Sequence, residues 1–130
     1  MIQLTPIAIA ATSQQYAVKV TENLCQGICT TDAVQPQATV TYSVGNIEVS
    51  GGTAFVTINA TGNIMYQPKG CSRTQVKLFN ESFVVAFEGT GTPAVDLVQG
   101  AEVQGAENVK CCNRAYGWGI ATNLTIDATF

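Results

Sequence analysis

The stretch Gln37-Ala38-Thr39-Val40-Thr41-Tyr42-Ser43-Val44 decides the fold class. Val40, Tyr42 and Val44 alternate with Thr39, Thr41 and Ser43, the period of a strand that lays one face on a core; an amphipathic helix repeats every 3.6 residues instead. β-Branched and aromatic side chains also suit a pleated surface. Ile47 and Val49 carry the pattern to Ser50-Gly51-Gly52-Thr53. The two glycines there accept the positive φ values of a tight hairpin turn. Val56 and Ile58 resume the inward face beyond it.

Working outward, residues 2–10 read as a strand interrupted by Pro6, which lacks a ladder donor and belongs at an edge or a bulge. Tyr16, Val18 and Val20 alternate in a second strand, and a loop runs from Glu22 to about Gln37. Towards the C-terminus, Ala60-Thr61-Gly62-Asn63 reads as a turn and Pro68-Lys69-Gly70 as a break. Val76 and Leu78 start a strand that Asn80-Glu81-Ser82 separates from Phe83, Val85 and Phe87. Val95 and Leu97 form a short strand before a loop containing Gly and Gln; Ile120, Leu124 and Ile126 form the last. About eight short antiparallel strands predict an all-β chain, residues 1–130 forming a single β-sandwich domain of immunoglobulin-like or jelly-roll type.

Composition narrows the function. The 130 residues contain no histidine and only 12% charged residues. Proton transfer near neutral pH usually recruits histidine or a tuned carboxylate pair, and neither is arranged here, so the expectation is a protein that is not an enzyme. A net charge of −3 argues against a nucleic-acid partner. The longest apolar stretch near the N-terminus, Ile7-Ala8-Ile9-Ala10-Ala11, is far short of the ~20 residues that span a bilayer, so no membrane partner is expected. No Lys or Arg precedes it as a signal peptide requires, which points to synthesis in a cytosol without export.

The outward positions hold Thr and Ser where Lys and Glu normally sit. Strand propensity accounts for that. So does coverage of these faces by neighbours in an oligomer, since few surface charges protect an isolated monomer from association.

Cys25, Cys29, Cys71, Cys111 and Cys112 are the chemically distinctive side chains, and all fall in loops or at strand ends by this reading. The spacing of Cys25 and Cys29 permits zinc ligation, and Cys71 with Cys111 and Cys112 supplies further thiolates if the fold gathers the three loops. A structural zinc is the one cofactor the sequence suggests. Disulfides are a second reading, with one thiol left over from an odd count. Buried free cysteines are a third. A catalytic cysteine lacks its usual activating base.

Tyr116 and Trp118 stand among glycines in Arg114-Ala115-Tyr116-Gly117-Trp118-Gly119. Exposed, they would form an interaction site, stacking on a sugar or anchoring a protein. Buried, Trp118 would plug one end of the domain. The acceptor patterns at Asn59, Asn80 and Asn123 are chance matches in a Thr-rich chain.

A Thr/Val/Gly-rich, histidine-free β-domain of this kind resembles the small β-sandwich structural proteins of tailed bacteriophages: head decoration or auxiliary capsid proteins, head-fibre bases and tail components. Gln37-Ala38-Thr39-Val40-Thr41-Tyr42-Ser43-Val44-Gly45 and Lys69-Gly70-Cys71 are similar in style to proteins of crAss-like phages that infect gut Bacteroidales. The resemblance implies a virion protein made in the bacterial host cytoplasm. It would be present in many copies, form a homo-oligomer, and contact other virion proteins such as the major capsid protein. A carbohydrate-binding or adhesin-like module using Tyr116 and Trp118 is the alternative.

Overall fold

The structure, a computed structural model, describes residues 1–24, 36–68, 73–111 and 114–130. Seven strands are described: β1 (Ile2–Ile9), β2 (Ser13–Asn23), β3 (Gln37–Ser50), β4 (Thr53–Tyr66), β5 (Gln75–Glu88), β6 (Ala94–Cys111) and β7 (Arg114–Thr129). They form two antiparallel sheets, one of four strands in the order β1-β2-β7-β6 and one of three in the order β3-β4-β5. The all-β reading holds. The described strands are longer than the sequence suggested, reaching 18 residues in β6.

Three expected breaks are not breaks, each for a local reason. At Gly62 the chain runs straight on and pairs with Val40 and Phe79. A methyl group there would lie 1.9 Å from the Thr39 carbonyl oxygen and 2.7 Å from the Phe79 ring, so this glycine serves close approach of neighbours and not a turn. Asn80-Glu81-Ser82 keeps the alternation of β5, with Asn80 and Ser82 exposed and Glu81 on the inner side. Gln99-Gly100-Ala101 is a bulge within β6, where the register shifts between Gln99 and Glu102. The Thr122 hydroxyl lies 3.0 Å from the Gly100 carbonyl and 3.2 Å from that of Ala101, tying the bulge down.

Other local expectations stand. Gly51 and Gly52 have φ of 60° and 82°, and Ser50 pairs with Thr53 across them as in a two-residue hairpin. The register of β1 shifts between Pro6 and Ala8, the irregularity expected of proline in an edge strand.

One continuous core lies between the inner faces. Val18 and Val20 of β2 and Ile120, Leu124 and Ile126 of β7 face Val56, Ile58 and Ile64 of β4 and Phe83 and Phe87 of β5, all buried. Full burial of each such side chain contributes roughly 1.5–3 kcal/mol. This apolar contact accounts for the association of two sheets that, among the described residues, share no ladder hydrogen bonds.

Candidate contact surfaces and polar seams

The edges of the two sheets meet along two seams, both closed by side chains. On β3, the backbone groups of Ala38, Val40 and Tyr42 point away from β4 towards β6. Gln104 of β6 takes both groups of Ala38: its Oε1 accepts from the N–H at 2.7 Å and its Nε2 donates to the carbonyl at 3.3 Å. Gln99 repeats the device, accepting from the Tyr42 N–H at 3.1 Å and donating to the Val40 carbonyl at 3.3 Å. Two side-chain amides thus stand in for a neighbouring strand.

The second seam joins β1 and β2 to β5. Gln14 Nε2 donates to the Ala86 carbonyl at 2.8 Å, while its Oε1 accepts from the Tyr16 hydroxyl at 2.5 Å. Burial pushes the Tyr16 phenol up from its ordinary pKa. Further along, Lys77 donates to the Asn23 carbonyl at 2.7 Å and lies 3.7 Å from Glu22. The Met1 amino group is 2.6 Å from Glu81.

Trp118 is buried on the inner face, and its indole N–H donates to Gln104 Oε1 at 3.0 Å. The ring therefore faces the core and its polar edge is already engaged. Tyr116 lies in the same strand, and for this residue the description stops at the backbone, as it does for Cys111. Cys25, Cys29, Cys71 and Cys112 lie outside the described residues. The residues flanking these segments do share one end of the molecule. Asn23 pairs with Gly117, Gln37 with Met65, Tyr66 with Gln75 and Cys111 with Arg114, and Lys77 bridges to Asn23 across the seam. Among the described residues no group of three or more His, Cys, Asp or Glu side chains is placed to hold a metal.

Among the described residues, two buried side-chain oxygens find no hydrogen-bond partner, the Tyr42 hydroxyl and Glu81 Oε2. Burial, then the negative charges of Glu102 and Glu81, push the Tyr42 phenol up to about 12.

The two outer faces differ in charge. That of the four-stranded sheet bears Lys19 paired with Glu107, and Asp127 accepting from the Ser13 hydroxyl at 2.5 Å. It also has a shallow depression of about 300 Å³ at the β6 bulge, lined by Ala17, Gly100, Ala101, Val103 and Ala121. The outer face of β3-β4-β5 is uncharged over its middle rows, with Glu48 opposite Phe55 and Glu88 opposite Thr53 at its hairpin end. Gln37, Thr39, Thr41 and Ser43 face outward from β3. Phe55, Thr57, Asn59, Thr61, Asn63 and Met65 do so from β4, and Val76, Leu78, Asn80, Ser82, Val84 and Ala86 from β5. Leu78 is 76% exposed. The sequence signalled the Thr and Ser rows but not the apolar ends, because β5 is apolar at both parities.

No family model, curated protein or solved structure matches this chain.

Proposed function

We propose that the chain is a non-enzymatic structural protein of a tailed-bacteriophage virion, associated with the capsid as a decoration, auxiliary or head-fibre protein. The outer face of β3-β4-β5, with Leu78, Val76 and Val84 exposed and its charges confined to its ends, is the observation that carries this reading. A monomer that keeps to itself blunts such a surface with Lys and Glu, whereas a block that works through contacts with its own copies and with a shell leaves it plain. The two antiparallel sheets are read as a β-sandwich, with the order 1-2-7-6 over 3-4-5. The immunoglobulin order, numbered along the chain, is 1-2-5-4 over 3-6-7. The partners are other virion proteins, the major capsid protein among them, and the site of synthesis is the host cytoplasm.

The cysteines fit the same reading as ties between the segments that carry them, through a structural zinc or through disulfides formed after release from the host. Native mass and thiol-alkylated denatured mass distinguish the two. A sugar-binding platform would have to do without Trp118, whose ring is turned into the core.

The test is quantitative mass spectrometry of density-banded phage particles from a culture that produces this chain, with antibody labelling in electron micrographs. The expected result is many copies per particle, with label on the head. Particles that lack the chain overturn the proposal.

A further inference from the structure

We infer that two copies of this chain pack face to face through the outer surface of β3-β4-β5, related by a two-fold axis that crosses β4 at Ala60. The inference deepens the reading that the chain works through contacts between copies, and it does not depend on which particle carries it.

The argument starts from the registers. Read as rows across β4 and β5, the exposed apolar residues are symmetric about Ala60. The rows through Asn59 (Ser43, Asn59, Ser82) and Thr61 (Thr41, Thr61, Asn80) flank it and are polar. The next outward rows, through Thr57 and Asn63, contain Val84 and Leu78. The rows beyond contain Phe55 with Ala86 and Met65 with Val76. The exposed apolar side chains of β4 and β5 thus stand towards the two ends with polar rows between them, while β3 adds Glu48 and Gln37 to the outermost of these rows and Thr39 to that of Leu78.

A two-fold axis in the plane of the contact and perpendicular to β4 exchanges these rows. It lays Phe55 of one copy over Met65 of the other, Val84 over Leu78, and the Thr/Asn rows over each other. Self-complementarity of one patch is what an isologous interface requires.

The charges at the two ends obey the same symmetry. Glu48 and Glu88 lie at the hairpin end of the face, and Arg73 is exposed just before β5 at the other. Antiparallel stacking places each acidic end over the partner's Arg73. Parallel stacking would lay β5 over the partner's β3 and bring Glu88 beside the partner's Glu48, and like charges so placed oppose docking.

The area suffices. Three strands of 14 residues cover roughly 46 Å by 14 Å, or about 650 Å² per copy and about 1,300 Å² in all, within the range of stable interfaces. The outer face of the four-stranded sheet offers Val98 and Val103, but it would bring the Lys19–Glu107 pair and Asp127 into the contact. Desolvating charges that lie within the face disfavours it, whereas Glu48 and Glu88 sit towards one end of the face of β3-β4-β5.

Sedimentation equilibrium of the full chain in reducing buffer, which removes any association through cysteines, tests the inference between about 1 and about 100 μM. The expected result is a dimer. Leu78→Lys puts two lysines into the contact and weakens it at least about a hundredfold. Val103→Lys, at a position 71% exposed on the other sheet, leaves it unchanged. Both substitutions point outward, and unchanged circular dichroism confirms folding. Glu88→Arg weakens the dimer, and adding Arg73→Glu restores it.

A monomeric wild type overturns the inference. So does a dimer that survives Leu78→Lys, or one that yields to Val103→Lys. A dimer indifferent to Glu88→Arg overturns the antiparallel arrangement. A monomer still found on particles would remove the dimer and leave the virion reading standing; a dimer absent from particles would do the reverse.

Discussion

Tyr42 and Glu81 stand two strands apart in one row of the inner face, with Ala60 of β4 between them. Each carries a buried oxygen that makes no hydrogen bond. The negative charge of Glu81 is one of the influences that keep the phenol protonated.

Removing that hydroxyl is therefore expected to cost nothing. Tyr42→Phe keeps the ring and relieves an unsatisfied buried group, so stability at neutral pH should stay level or rise by about 1 kcal/mol in urea denaturation. A loss of 2 kcal/mol or more would show that the hydroxyl has a partner in solution.

The same residue sets an alkaline limit. The folded pKa of about 12 lies above the ordinary value of 10.0, so the unfolded chain gives up its proton first as pH rises. The phenol's contribution is fully present below pH 10, is lost between 10 and 12, and no longer varies above that. Tyr42→Phe should flatten the decline in stability over that window. Identical slopes in the two proteins would contradict the assignment.

Gln104 is expected to be the most sensitive polar residue. Gln104→Ala leaves the Ala38 N–H and the Trp118 indole N–H without their shared acceptor. The expected loss is about 2–3 kcal/mol, accompanied by faster hydrogen exchange at the Ala38 amide. Gln104→Glu keeps the acceptor and loses the donor to the Ala38 carbonyl, so its cost should be smaller at neutral pH. Equal losses would place the importance of Gln104 elsewhere.

Two glycines separate steric need from convenience. Gly62→Ala drives a methyl group into the Thr39 carbonyl and should cost about 3 kcal/mol or more. Gly105→Ala meets nothing within 4 Å and should be neutral or slightly stabilising. Thermal denaturation of the two variants settles the contrast, and similar midpoints would refute it.

Thr122→Val keeps the volume and removes the hydroxyl from the bulge carbonyls of Gly100 and Ala101. About 1 kcal/mol of destabilisation is expected, with faster hydrogen exchange at Glu102 and Val103. Unchanged exchange there would mean the bulge holds without Thr122.

What could be read from sequence follows the range of the forces involved. The alternation of Val40, Tyr42 and Val44 with Thr residues is local, and so is the Gly51-Gly52 turn; both were legible. Gly62 was misread because a glycine signals conformational freedom and close contact alike, and the contact is with Thr39 and Phe79 on neighbouring strands. The seams were illegible: Gln104 meets Ala38 across 66 residues and Gln99 meets Tyr42 across 57. Leu78 and Phe79 are adjacent, yet one is exposed and the other buried, a difference that only the register of β5 decides.

The occupied seams also limit how the chain associates. Unpaired strand edges invite copies to add end upon end into fibres. Here Gln99 and Gln104 have claimed the backbone groups of β3 at Ala38, Val40 and Tyr42, Gln14 has claimed a carbonyl of β5, and Pro6 breaks the donor row of β1. A strand adding at these positions of β3 would have to displace Gln99 and Gln104, so growth by edge pairing is hindered there.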